Sequence, residues 1–364
     1  MSYIIPIGPY HPALEEPVHA RLQVEGEEIR NAEVFIGYNH RGIEKLAQQK
    51  NFIQTLVMVE RVCGICSHSH AWTYAMALEG IAQMQVPKRG QYIRVIVEEL
   101  ERLHSHYLWL GIALHLIGHD SLFMHCWDDR EAIMDILEEI TGNRVNYGMV
   151  TIGGARRDIN DETRKNTLAM LDRIEASMTV IRDILLSDKT VALRTQGVGI
   201  LTREDSLRIG AVGPHARASG VPVDVRKDAP YSCYEDFDFN VCTWESGDVF
   251  ARVVVRVLEN FESIKIIRQA LETLPSTGPD ARINLGTRIP KIPAGEYMCR
   301  HEAPRGQLCY KVVTDGGECN KRVSIHVPTF KNAPTVPVML KGNSVADAGL
   351  IIASIDPCFS CMDR

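Results

Sequence analysis

Residues 60–70 read Glu60-Arg61-Val62-Cys63-Gly64-Ile65-Cys66-Ser67-His68-Ser69-His70, a Cys-x-x-Cys with a histidine four residues after its second cysteine. A second pair closes the chain: Asp356-Pro357-Cys358-Phe359-Ser360-Cys361-Met362-Asp363-Arg364. Cysteines three apart on a helical turn have Cβ atoms ~5–6 Å apart, so both sulfurs reach one ion. Unpaired N–H groups at a helix start also lower thiol pKa values. Gly64 lets the backbone come close to such a site, and Pro357 stiffens the approach to the second pair. If the pairs share one centre, the fold must bring residues 63 and 361 together, and the chain between them is scaffold for that closure.

Three chemistries compete for four thiolates. A structural zinc site is the commonest use, but its pairs usually lie ~15–20 residues apart. A redox dithiol needs one pair beside a βαβ pattern, which is not visible here. A catalytic transition-metal site with soft ligands suits distant pairs in a large scaffold. On a helix His70 shares a face with Cys66, as a donor to a ligand sulfur or as an ordinary core or surface histidine; His68 is expected to be exposed.

The chain has 364 residues and a net charge of −6, without a Lys/Arg run that would follow a phosphate backbone, so nucleic acid is not an expected partner. No apolar run reaches the ~18–20 residues needed to span a bilayer, and Met1–Tyr10 lacks the look of a secretory signal. A reduced compartment is therefore expected, and Cys126, Cys233, Cys242, Cys299, Cys309 and Cys319 read as buried or partly buried thiols.

Strands are expected at Val18–Val24 and Ala32–Tyr38, then helices at Gly42–Met58 and Ser67–Ala82. The series Ile93, Val97, Leu100, Leu103, Tyr107, Leu110 and Leu114 predicts a helix over Gln91–Ile117. Leu122–Ile140 follows, stopped by Gly142; Asp161–Leu186 starts behind Asn160 or Asp158, and Asp248–Leu274 sits behind Ser246 and ends at Pro275. Tyr297–Glu302, Gln307–Val313 and Lys321–Val327 read as short strands, and Val345–Ile355 as a last helix or extended lead. The fold class is α+β: a helical bundle core of long helices with small peripheral β-sheets from the N- and C-terminal segments. We read residues 1–364 as one composite domain: a β region over 1–40, a helical core over 41–275, and a β region with the second metal motif over 276–364.

Arg61-x-Cys63-Gly64-x-Cys66-x-x-x-His70 and Asp356-Pro357-Cys358-x-x-Cys361-x-x-Arg364 resemble the two signature motifs of [NiFe] hydrogenase large subunits. Arginine in place of a terminal histidine resembles the membrane-bound, energy-converting group 4 branch, related to respiratory complex I. The likeness covers the whole chain, including Gly8-Pro9-Tyr10-His11-Pro12, Gly37-Tyr38-Asn39-His40-Arg41-Gly42 and Gly142-Asn143-Arg144-Val145-Asn146-Tyr147.

The resemblance implies nickel ligated by Cys63, Cys66, Cys358 and Cys361, with Cys66 and Cys361 also bridging to an iron that carries CO and cyanide. It implies reversible conversion of protons and electrons to H2, with Cys358 taking the proton. Glu302-Ala303-Pro304-Arg305-Gly306 places Arg305 over the metals, and Val327-Pro328-Thr329 makes Thr329 a donor to a cyanide. Leu14-Glu15-Glu16-Pro17 resembles the segment with a proton-relaying glutamate; Glu16 is the choice and Glu15 its rival. Glu44 matches a ligand of a magnesium or iron ion; Arg364 cannot ligate a cation, so pairing of Glu44 with an arginine is the alternative.

Without spare cysteine clusters for iron–sulfur ligation in this chain, electrons are expected to leave through a hydrogenase small subunit with a proximal [4Fe–4S] cluster. The resemblance also implies a ferredoxin-like iron–sulfur subunit or ferredoxin, antiporter-like membrane subunits coupled to ion translocation, and a place on the cytoplasmic side of the cell membrane. The alternatives are the hydrogenase module of a CO- or formate-oxidising complex and a complex I-like quinone-site subunit. The latter shares the Gly-Pro-x-His-Pro start but lacks the four cysteines.

Overall fold

Alternating residues at the N-terminus build a three-stranded antiparallel meander of β1 (Ser2–Ile7), β2 (His19–Glu25) and β3 (Glu28–Phe35). Its inward row of Ala20, Leu22, Val24 and Ile29 packs on Val336, Met339, Leu340 and Ile351 from the other end of the chain. The computed structural model describes residues 2–12, 14–286 and 289–364. The sequence reading missed β1, which pairs Ser2–Ile7 with Ala20–Glu25.

The single helix expected over Gly42–Met58 is two, α1 (Ile43–Ala47) and α2 (Phe52–Val59). The break is chemical: Asn51 and Gln54 form a reciprocal capping box that restarts the helix. After the first cysteine motif comes α3 (Ser67–Ile81), then α4 (Lys88–Leu116), α5 (Asp120–Thr141), α6 (Asp161–Ser187) and α7 (Val249–Thr273). Gly142 ends α5 at φ 87°, Asn160 caps α6, and Asp248 caps α7 with Ser246 hydrogen-bonded to it. In the bundle α4 packs on α5 and α7, and α6 on the same two helices. The stretch between α6 and α7, unread from sequence, holds short helices such as Pro214–Arg217 and Val225–Asp228.

The C-terminal strands are β4 (Ala294–Ala303), β5 (Gly306–Asp315) and β6 (Asn320–His326), an antiparallel meander. Helix α3 lies on β4 and β5. Pro304 and Arg305 are the two-residue connection between Ala303 and Gly306, so Arg305 sits at a hairpin tip. Gly306 takes φ 122°, and a Cβ there would lie 2.7 Å from the Gly213 Cα; only glycine fits this crossing. The expected last helix is a short turn, Val345–Asp347, followed by the helix Ala348–Ser354.

Helix α4 differs in kind from its periodicity. Glu98, Glu99, Glu101 and Arg102 are all fully buried. Arg226 reaches Glu99 (3.1 Å) and Asp224 (2.7 Å), while Arg217 reaches Glu259 (2.7 Å) and Glu302 (2.8 Å). This network ties α4, α7 and β4 to the short helices. Buried ion pairs add little net stability against apolar packing, but removing one partner is costly.

Candidate metal centre

The first pair is placed by a change of backbone. Cys63 follows a 3-10 turn over Glu60–Val62 in extended conformation, and Cys66 is the N-cap of α3. The Cys63 sulfur accepts from the N–H groups of Ile65 (3.3 Å) and Cys66 (3.4 Å). The C-terminal pair repeats this: Cys358 caps α8 (Phe359–Asp363) and its sulfur accepts from the Cys361 N–H at 3.4 Å. Asp356 enters the motif at φ 54°, a left-handed conformation that aspartate tolerates better than most residues.

The two motifs converge. Sulfur–sulfur distances are 3.4 Å for Cys358–Cys63, 3.0 Å for Cys358–Cys361 and 3.5 Å for Cys66–Cys361. The sulfurs of Cys63, Cys66 and Cys361 all lie within 4.8 Å of one another. All four residues are buried. Hydrogen bonds from Cys358 and its neighbours hold the Cys63 thiol well below its usual pKa, while burial pushes Cys361 up. Four crowded, water-excluded sulfurs are the donor set of a thiophilic ion.

Beside them is a tight cavity of ≈ 10 Å³ lined by Cys66, His70, Ala303, Arg305, Leu308, Pro328, Thr329, Cys358 and Cys361. Arg305 is fixed by Asp356 through its Nε (3.0 Å to the carbonyl) and Nη2 (2.8 Å to Oδ1), while its buried Nη1 has no partner. Thr329 Oγ1 accepts from the Cys358 N–H at 3.0 Å, which leaves the hydroxyl proton free to donate. An apolar cavity with an unpartnered guanidinium nitrogen and a hydroxyl fits small anionic ligands next to thiolates, and the donor set fits a nickel–iron group. Two larger depressions of ≈ 830 Å³ each are open to solvent and hold none of the four cysteines.

His70 lines the same cavity as Cys66 and reaches a sulfur of the second pair. Its Nε2 lies 3.4 Å from the Cys361 sulfur, and its Nδ1 lies 2.6 Å from the Tyr310 hydroxyl. Burial pushes the ring down to about 4, so it is neutral at pH 7. Tyr310 was not read from sequence; its only signal is an inward position in the alternating strand β5. His68, expected to be exposed, is fully buried, with Nε2 3.0 Å from the Arg94 carbonyl. Of the six single cysteines, Cys319 is exposed, against expectation.

Glu16 accepts from the Ser360 N–H (2.9 Å) and Oγ (3.4 Å), between the second pair of cysteines. Burial raises its pKa. Glu15 touches solvent on its outer side, yet surrounding protein and then the Asp356 charge push its carboxyl up to about 8; that solvent contact moderates the effect. Glu44 accepts from the Ile325 N–H (2.9 Å), Arg364 Nε (3.2 Å) and Arg322 Nη2 (3.4 Å). Guanidinium groups, rather than a cluster of further carboxylates, therefore face Glu44. Asp363 accepts from the N–H groups of Gly37 and Asn39, both at 3.0 Å, which ties the C-terminus to the loop after β3.

The fold thus closes one buried cysteine site from both ends of one chain, with a donor set suited to a metal. A model of the respiratory-chain NADH dehydrogenase 49 kDa subunit matches residues 117–286 and 281–364, and one of nickel-dependent hydrogenases matches residues 41–121. The carbon monoxide-induced hydrogenase of Rhodospirillum rubrum is 42% identical over 100% of this chain and 99% of its own. Membrane-bound hydrogenase subunit alpha of Pyrococcus furiosus is 41% identical over 99% of this chain and 87% of its own. A solved chain of the membrane-bound sulfane sulfur reductase, an archaeal respiratory membrane complex, superposes with a TM-score of 0.94 at 30% identity, covering 100% of this chain and 98% of its own. The chain belongs to the family of nickel-dependent hydrogenase large subunits and respiratory 49 kDa subunits, in its membrane-bound hydrogenase branch.

Proposed function

We propose that this chain is the catalytic subunit of a membrane-bound [NiFe] hydrogenase that interconverts H2 with protons and electrons. The observation that carries the reading is the meeting of four buried cysteine sulfurs from both chain ends beside a cavity into which Arg305 Nη1 is unpartnered. Cys63, Cys66, Cys358 and Cys361 would hold the nickel–iron group. When bound, that group supplies the polarisation of H2 and the exchange of two electrons.

The chain's own residues do the rest. Cys358 Sγ holds the proton that leaves H2, and the Glu16 carboxyl, anchored on Ser360, takes it onward. Burial raises the Glu16 carboxyl above its ordinary value, which suits a relay. Glu15, adjacent and in contact with water, opens the route to solvent. Arg305 and Thr329 donate into the cavity and orient small ligands, and the apolar wall excludes water. His70 donates to the Cys361 sulfur through Nε2.

No helix among the described residues is long and apolar enough to cross a membrane. Attachment then runs through partner subunits, in line with the membrane complexes of the relatives. A small subunit with a proximal [4Fe–4S] cluster, a ferredoxin-like donor, ion-translocating membrane subunits and a cytoplasmic position complete the proposal. The 49 kDa match favours a second reading, a quinone-site subunit; the converging cysteines argue against it.

The test is metal analysis and infrared spectroscopy of the purified complex, with H2/D+ exchange. Stoichiometric nickel, CO and cyanide bands and exchange are expected. Their absence from an intact complex that still transfers electrons to a quinone would install the second reading instead.

A further inference from the structure

Helix α7 carries two arginines into the protein behind the second cysteine motif, and neither has a full counter-ion. Arg252 is fully buried, and its hydrogen bonds all go to neutral groups: the Ser354 hydroxyl (2.9 Å), the Gly199 and Gly247 carbonyls (2.7 and 2.8 Å) and the Met339 sulfur (2.8 Å). One turn on, Arg256 donates to the Arg252 carbonyl (3.0 Å) and lies 3.9 Å over the Trp109 ring. Its closest carboxylate oxygen is Asp356 Oδ2 at 3.9 Å, and neither Arg256 Nε nor that oxygen has a hydrogen-bond partner. Asp356 in turn holds Arg305.

The local charges do not balance. Arg256 and Arg305 share the carboxylate of Asp356, and Arg252 stands one turn behind Arg256 with no carboxylate bonded to it. Of the other acids nearby, Glu259 is occupied by Arg217 and His106, Asp248 caps α7, Glu16 is bonded to Ser360, and Glu15 is exposed. Burial and then the charges of Arg252 and Arg256 push His215 well down, and burial lowers His106 against its bond to Glu259. Burial pushes Arg252 down to about 9, with the Arg256 charge adding to the fall, and Arg256 down to about 10 against the pull of Asp356 and Glu259.

A buried cation excess is costly unless a negative group completes it. Four thiolates on one divalent ion carry a net negative charge, and that group sits on the far side of Arg305. We infer that Arg256, backed by Arg252, is a positioning residue that supplies buried counter-charge to the loaded thiolate centre through Asp356 and Arg305. The inference rests on the metal-centre reading above. It also accounts for the open contact at Asp356 Oδ2: Arg256 stands off the carboxylate and leaves Arg305 as its principal partner, so the positive field persists at the cavity.

The test is Arg256→Met in the complete complex, with Arg256→Lys as the conservative variant and Arg252→Gln as a second probe. Thermal stability is measured for complexes made with and without nickel, and midpoint potentials are followed by infrared and nickel electron paramagnetic resonance signals. Without nickel, Arg256→Met should be as stable as its parent or more so, because an uncompensated charge is gone. With nickel, its midpoint should fall by about 59 mV, the one-electron equivalent of a roughly tenfold change, and its cyanide bands should move to lower wavenumber. Arg256→Lys should recover most of both shifts, and Arg252→Gln should show a smaller shift of the same sign. Unchanged potential and bands in Arg256→Met would overturn the inference, as would equal destabilisation of the nickel-free and nickel-loaded complexes. A parent complex that takes up no nickel would instead remove the metal-centre reading, so the two failures are distinguishable.

Discussion

Cys66 and Cys361 lie 295 residues apart in sequence and 3.5 Å apart at their sulfurs. That closeness depends on the two helix starts they occupy, α3 and α8, and on the C-terminal ties of Asp363 to Gly37 and Asn39. Replacing either sulfur by oxygen in Cys66→Ser or Cys361→Ser keeps the volume but removes a soft ligand. We expect nickel content to fall below one-tenth of the parent's, by a roughly tenfold or greater loss of affinity per ligand, with H2 evolution lost in proportion. Metal analysis of the complex checks this; full nickel retention would take the mutated cysteine out of the ligand set.

Glu16 and Glu15 make different predictions. Glu16 is bonded to Ser360 inside the cysteine motif, whereas Glu15 faces Arg305 and Asp356 from the solvent side. Glu16→Gln retains the acceptor for the Ser360 N–H but cannot carry a proton. H2/D+ exchange should drop by about 10²-fold or more at unchanged nickel content, and Glu15→Gln should cost less. The reverse order, read by isotope exchange, would move the relay to Glu15.

The sequence made the site legible and its support illegible, for a physical reason. Soft-ligand spacing is local, so Cys63, Cys66, Cys358 and Cys361 announce themselves. Helix α4 showed its apolar series through Ile93, Val97, Leu100 and Leu103, and that series was right. What it concealed is that Glu98, Glu99, Glu101 and Arg102 are also buried, because their partners Ser69, His301, Arg226 and Ser263 come from elements far away in sequence. A run of four ionisable residues in five on a core helix, Glu98-Glu99-Leu100-Glu101-Arg102, was the available signal. The break at Asn51 was legible too, since Asn51-x-x-Gln54 is a capping box, but the apolar pattern on either side masked it. Tyr310 was visible only as one of several inward residues of β5, and its bond to His70 is a matter of tertiary register.

Glu44 separates a salt-linked terminus from a third metal site. Its oxygens are bonded to the Ile325 N–H and to Arg364 and Arg322. A chelator for magnesium should therefore leave H2 evolution and thermal stability of the loaded complex unchanged. Glu44→Ala should cost about 1 kcal/mol, read as a lower unfolding temperature, because the partly exposed arginines can turn to water. Activity lost on chelation and restored by magnesium would place an ion at Glu44.

The carboxyl pair on α4 gives the chain a pH signature of its own. Ser69 Oγ lies 2.8 Å from Glu98 Oε1 and 2.7 Å from Glu101 Oε1, and Glu101 also accepts from the N–H groups of His68 (2.7 Å) and Ser69 (3.0 Å) at the start of α3. The Ser69 hydroxyl is shared between the two carboxyls, and His301 Nε2 lies 2.9 Å from Glu98 Oε1. Burial raises Glu98 from 4.5 to about 8, with the Glu99 charge adding to the rise against Arg102 and Ser69; Glu101 is raised well above its usual value by burial and then by Glu98. The folded chain thus binds a proton that the unfolded chain has released. Between about pH 5 and about pH 8 the unfolded state holds fewer protons, and stability falls as pH rises, by up to about 1.4 kcal/mol per unit for one proton. Glu98→Gln keeps the geometry without the charge and should flatten that slope. Urea unfolding of the metal-free chain across this range measures it, and a slope identical in parent and variant would assign the pH dependence to other groups.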